Sequence, residues 1–131
     1  MSCPSAIYTV LTNATVEEGG SAGFGSVIRR YGPSIRMDGQ GLNTLGGGYY
    51  AFDTSLTFTP TATGPVTIQF YQDGVAIPGA LATEQGTAAT PLNLSVPFMV
   101  RNIGPYASST ITYTISAAGV INNLPVTAEK K

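Results

Sequence analysis

The sequence predicts an all-β fold, a two-sheet antiparallel jelly roll of about eight to nine strands. Three observations lead there. Short runs of alternating apolar and polar residues are separated by Gly, Pro and Asn turns. No stretch places apolar residues three and four apart behind a capping residue, which is what a helix requires. No segment repeats at a fixed period, which argues against a solenoid. At 131 residues the chain is read as one domain, 1–131, with a short N-terminal tail of about residues 1–5.

After that tail, Ala6 to Leu11 reads as the first strand. Ile7, Thr9 and Leu11 lie on one face and Tyr8 and Val10 on the other, so both faces are partly apolar, as in a central or interface strand. Asn13 to Gly25 lacks periodicity and reads as a surface loop. Ser26 to Tyr31 is a short strand closed by Gly32-Pro33, and Ile35 to Asp38 restarts the alternation. Gly39 to Asn43 keeps that alternation with glycines in place of side chains, a sign of a bulge or close backbone approach.

The longest run is Gly46 to Pro60. Tyr50, Phe52, Leu56 and Phe58 share one parity and Asp53, Ser55, Thr57 and Thr59 the other, which puts one face in a core. Tyr49 and Ala51 interrupt the polar face, so this end of the strand is expected to be covered on both sides. A turn at Thr61 to Pro65 leads to a partner strand carrying Val66, Ile68 and Phe70. Asp73-Gly74 suits a two-residue type I′ hairpin, after which Val75 to Ile77 returns and Pro78-Gly79 ends the return. Ala80 to Pro91 is small and polar and reads as a mobile loop. Leu92, Leu94 and Val96 form a half-buried strand, and Pro97 marks an edge position or a bulge before Phe98-Met99-Val100. A turn over Asn102 to Ser109, containing Gly104-Pro105, precedes the clean strand Thr110 to Ser116. Val120, Ile121, Leu124 and Val126 make the last one.

The order of these motifs carries a family resemblance. Gly48-Tyr49-Tyr50-Ala51-Phe52, then a Gly-Pro turn and Gln69-Phe70-Tyr71-Gln72-Asp73-Gly74-Val75, resembles the strand and hairpin of complement-head and tumour-necrosis-factor-like jelly rolls. Ala6-Ile7-Tyr8-Thr9-Val10, Gly25 to Gly32, Asp73 to Ala80 and Val126 to Lys130 look like phage and prophage structural proteins of that shape, whether head decoration or fibre. The resemblance implies a trimeric structural or binding module. It also implies aromatic residues of three inner-sheet strands around the trimer axis, here Tyr49, Phe98 and Tyr113, with Tyr8, Val10 and the final strand as the next place to seek the axis. Tyr113 shares its parity with Ile111 and Ile115, which is equally a core position, and Pro97 can shift the register of Phe98 by one.

Composition narrows the chemistry. Charged residues are 10% of the chain, against roughly 25% in an average soluble protein, so part of the surface is expected to be hidden in a permanent assembly. A Ser/Thr-rich β surface with no partner is the plainer reading. The net charge of −1 offers nothing to nucleic acid. Arg29-Arg30 reads either as an intersubunit or ligand carboxylate clamp, or as one exposed arginine beside another that covers apolar surface. Cys3 is the one cysteine, so no intrachain disulfide can form. No signal-peptide pattern and no apolar run of membrane-spanning length is present. These features suit synthesis in a cytoplasm with no membrane insertion, and the resemblance to phage proteins implies the virion surface as the expected location.

With no histidine, the commonest general base and metal ligand is missing. Asp38, Asp53, Asp73 and Glu84 are the acids available for a carboxylate pair, and nothing in the sequence pairs them. Asp73 is more simply a turn residue, and Asp53, although a calcium ligand in principle, sits on a polar face. Gly46-Gly47-Gly48 precedes a strand, so it has no helix N-terminus with which to hold phosphate. Tyr8, Tyr31, Tyr49, Tyr50, Tyr71, Tyr106 and Tyr113 suit a sugar site, a subunit interface or an ordinary β core.

The expectation is a non-enzymatic virion protein without cofactor or metal, a homotrimer that decorates or projects from a phage capsid. Its partner would be the major capsid protein or another virion protein. The alternative is a trimeric receptor- or glycan-binding head of a fibre or of a bacterial or spore surface protein, reading a host surface glycan through loops Asn13 to Gly25 and Ala80 to Pro91.

Overall fold

A computed structural model describes residues 5–104 and 107–131. Met1 to Pro4, with Cys3 and most of the expected tail, and Pro105-Tyr106, part of an expected turn, lie outside the described residues. Ten strands follow one another: β1 (Ala6–Val16), β2 (Ser26–Tyr31), β3 (Ile35–Asp38), β4 (Gly41–Leu45), β5 (Gly48–Pro60), β6 (Gly64–Gln72), β7 (Val75–Gly86), β8 (Leu92–Asn102), β9 (Ser108–Ile115) and β10 (Gly119–Lys130). They form two five-stranded antiparallel sheets, β2-β1-β10-β5-β8 (sheet I) and β3-β4-β9-β6-β7 (sheet II). This is the expected two-sheet jelly roll, with more strands than the eight to nine predicted.

The core lies between the sheets because period-two alternation turns one face of every long strand inward. Tyr50, Phe52, Leu56 and Phe58 of β5 meet Val66, Ile68 and Phe70 of β6 and Ile111, Tyr113 and Ile115 of β9, all buried. On β8 the inward set is Leu94, Val96, Phe98 and Val100, with Phe98 stacked on Phe52 at 4.9 Å and against Phe70 at 4.8 Å between ring centroids.

The Asp73-Gly74 hairpin is as read, with both residues at positive φ (52° and 82°) and Gln72 paired with Val75. Two segments differ from the sequence reading. β1 runs on past Leu11 to Val16, so Asn13 to Val16 is strand and the connection is Glu17 to Gly25. That connection is pinned. The Tyr113 hydroxyl donates to the Gly23 carbonyl at 2.6 Å and the Phe24 ring meets Tyr113 edge-on at 5.3 Å.

The larger correction is β7, which continues through Pro78-Gly79 to Gly86, so most of Ala80 to Pro91 is strand and not mobile loop. Its partner holds it there. β6 pairs with β7 as far as Gly64 with Gly86, and a register shift between Gln69 and Tyr71 absorbs the Pro-Gly step. The Gln69 side-chain amide donates to the carbonyls of Phe70, Ile77 and Ala80, groups that such a bulge leaves in need of donors.

A candidate assembly face

The outer face of sheet I is built of rungs that cross all five strands. One rung is Arg29, Tyr8, Thr127, Asp53 and Pro97, and the next is Tyr31, Ala6, Glu129, Ala51 and Met99. Tyr49 and Arg101 pair one step further along. Alternation fixes the direction of these side chains: Phe52 and Phe98 fill the core, so Ala51, Asp53, Pro97 and Met99 point away from it.

The turn that launches β5 is fixed by a buried polar network. The Asn102 amide donates to the carbonyls of Thr44 and Gly46 and to the Thr44 hydroxyl, and the Ser109 hydroxyl donates to the Asn102 side-chain oxygen. The Tyr50 hydroxyl donates to the carbonyls of Leu45 and Gly46 at 2.7 and 2.9 Å. Gly47 has no room for a side chain, since a Cβ there would lie 2.5 Å from the Gly104 carbonyl oxygen. With Tyr50 anchored inward, Tyr49 must face outward, and it is 47% exposed. Its ring carries the Arg101 guanidinium 5.4 Å from its centroid.

Exposed large apolar side chains gather here. Tyr8, Tyr49 and Met99 lie on the face, and Val27, Ile28 and Tyr31 lie on its β2 edge. Beside that edge is a groove of about 700 Å³ whose lining includes Tyr8, Ile28 and Tyr31, the cations Arg29 and Arg30 and the acids Asp53 and Glu129. Glu129 is held by Lys131 at 2.7 Å. On the outer face of sheet II, Val75 and Leu81 are exposed on the β7 edge, and further in Asn43, Thr67, Thr110, Thr114 and Tyr71 bond to one another or to Thr83 through hydroxyls and amides.

The structure sorts the residues expected at the trimer axis. Tyr49, Tyr8 and Val10 are on the outer face of sheet I. Tyr113 and Phe98 are not. Tyr113 is 1% exposed and lies between the sheets, where burial pushes its pKa up to about 12 although the Ala22 backbone N–H bonded to its oxygen works the other way. Phe98 faces inward because β8 keeps its register with β5 through Pro97, so the proline causes no slip. Met99 holds the outward position that Phe98 was expected to take. Sequence reasoning passed over Met99 and Arg101, yet strict alternation from Val96 marks both as outward.

The acids sit on separate elements. Asp38 accepts from the Asn43 amide at 2.9 Å, Asp73 accepts the Thr110 backbone N–H at 2.8 Å, Glu84 is exposed on β7 and Asp53 lies on the sheet I face. Among the described residues no group of three or more His, Cys, Asp or Glu is gathered as metal ligands would be. Arg29 and Arg30 are both exposed, with Arg29 beside Tyr8 on the outer face.

No family model matches the chain, and no curated protein matches it. Solved structures do. Murine APRIL, in a crystal structure at pH 5.0, superposes with a TM-score of 0.76 at 9% identity, covering 98% of this chain and 100% of that one. The globular domain of zebrafish complement 1qA protein gives 0.65 at 8% identity over 95% and 94%. PRD1 vertex protein P5 gives 0.61 at 11% identity over 96% of each chain. The chain has the tumour-necrosis-factor-like, complement-head-like jelly-roll fold.

Proposed function

We propose that this chain is a non-enzymatic structural protein that forms a homotrimer through the outer face of sheet I and decorates or projects from a phage particle. The observation that carries the reading is the asymmetry between the two sheets: hydroxyls and amides cover the middle of sheet II, with Val75 and Leu81 exposed on its β7 edge, while Tyr8, Tyr49, Met99 and three residues of the β2 edge are exposed on sheet I. These side chains alternate with Thr127, Asp53 and Glu129 across the sheet, and Tyr, Met and Arg, the types that stand out here, are those enriched at subunit interfaces. Five strands spaced about 4.8 Å apart over about ten residues project roughly 800 Å², an area that the two contacts of each copy in a ring of three would share.

A trimer is the assembly that the family resemblance implies. The particle role is supported by the scarcity of charge, by the absence of histidine from the sequence, and by the fold shared with a protein described as the PRD1 vertex protein. The receptor- or glycan-binding alternative relied on two loops, of which Asn13 to Val16 and Ala80 to Gly86 are strand, leaving less loop surface for a ligand.

Light scattering on the purified chain, with mass analysis of purified particles from its source, tests the proposal. The expected results are a mass of about 40 kDa, three times the 13.5 kDa chain, and recovery of the chain in particles. A monomer that is never found in particles would overturn it.

A further inference from the structure

In a ring of three copies each contact joins two different patches of the same chain. Sheet I offers two unlike halves: the groove beside β2 and β1, with Asp53 in its lining, and the free edge at β8, where Met99 and Arg101 stand. Among the described residues, Asp53 is the acid of the groove half left without an ion-pair partner, beside Arg29 and Arg30, and Arg101 is a cation of the β8 half left without one. Among the described residues, the Asp53 carboxylate accepts no hydrogen bond and joins no ion pair, whereas Glu129 is held by Lys131. Arg101 has the Tyr49 ring beneath it and, among the described residues, no ion pair.

The two cannot satisfy each other within one chain. Asp53 is opposite Pro97 and Arg101 is opposite Tyr49, so they are four residues apart along adjacent strands, roughly 14 Å. Arg29 shares a rung with Asp53 but is three strands away, a similar distance.

Resting on the trimeric reading, we infer that Arg101 of one copy pairs with Asp53 of the next, with Met99 beside it entering the groove. The occupant of the groove is thus a second copy of this chain. Tyr49 positions the guanidinium on its own face, and the flanking tyrosines exclude water from the pair, which makes a charge contact count for more than it does on an open surface.

The test is a charge-reversal cycle on the intact chain: wild type, Arg101→Glu, Asp53→Arg and the double variant, each checked for folding by circular dichroism and its trimer–monomer equilibrium measured by sedimentation. Both side chains are exposed on formed strands, and Arg101→Gln and Asp53→Asn provide milder versions should a reversal disturb the fold. Each reversal is expected to weaken assembly by about tenfold or more, and the double variant to return to within about threefold of wild type. Trimeric singles with unchanged equilibria, or a double variant as weak as the two singles combined, would overturn the pairing while leaving the trimer intact. A wild type that is monomeric at every concentration would overturn the trimer itself, and the pairing with it.

Discussion

At the scale of single residues, the direction a strand gives each side chain decides whether it packs in the core or faces out. Alternation through Tyr50, Phe52, Leu56 and Phe58 placed all four in the core, where they are buried. Phe52→Ala removes a ring stacked within 4.9 Å of Phe98, so it should cost about 3 to 5 kcal/mol in denaturant unfolding. A loss below about 1 kcal/mol would mean that the site collapses freely, contrary to its packing. Parity also contained the right answer for Tyr113, whose neighbours Ile111 and Ile115 are buried with it; the resemblance drew it towards the axis instead. Its burial has a consequence at high pH. Unfolded tyrosine ionises near pH 10, while folded Tyr113 holds its proton to about pH 12, so the unfolded state binds fewer protons in that window and stability falls as pH rises. The contribution is complete below pH 10 and lost through pH 12, with a size on the order of 2 kcal/mol. Tyr113→Phe should flatten the loss of melting temperature over that range, at the cost of the bond to Gly23.

At the scale of elements, the sequence revealed strands wherever side chains alternate and missed them where a partner strand imposes the structure. β5 and β9 alternate cleanly, and the sequence places their ends within two residues, taking Ser108-Ser109 for turn where they open β9. β7 carries Pro78, Gly79 and a run of small residues, and only Ile77, Ala80 and Gly86 along it are buried. Nothing in that pattern requires a strand. β6 supplies the hydrogen bonds that make it one, and the Gln69 amide covers the carbonyls at its bulge. The hairpin before it was legible because its requirement is local. Asp73 and Gly74 both need positive φ, which β-branched residues resist. Gly74→Val should therefore destabilise by about 1 to 2 kcal/mol, seen as a lowered denaturation midpoint with an unchanged slope. A neutral result would contradict the type I′ geometry. The same reasoning clears Pro97: a missing N–H is tolerated on an edge strand, and β8 is one, so the register runs through it and sends Phe98 in and Met99 out.

At the scale of the whole molecule, the covering expected over both sides of the β5 start is present on one side only: Tyr50 is buried, while Tyr49, Met99 and Tyr8 face solvent in the single chain. Sequence alone could place those residues on one face, but which strands lie side by side is a long-range fact, and the β2-β1-β10-β5-β8 order is what gathers them. If that face is where copies meet, folding and association are linked, and the melting temperature should rise with protein concentration. Tyr49→Asp is the sharpest probe. It removes apolar ring surface, places like charges in the copies' shared surface, and sets a carboxylate where the ring now holds Arg101, so that the guanidinium is neutralised within its own chain. The hydrogen bonds that anchor Tyr50 and the Gly46 turn do not involve the Tyr49 side chain, so the monomer should still fold. Thr112→Asp on the outer face of sheet II adds the same charge to a surface already covered by hydroxyls and serves as the control. The expected outcome over a hundredfold dilution is a concentration-dependent melting temperature for wild type and Thr112→Asp, and a lower, concentration-independent one for Tyr49→Asp. A Tyr49→Asp variant that stays trimeric and melts as wild type does would move the axis away from Tyr49, towards Tyr8, Val10 and β10.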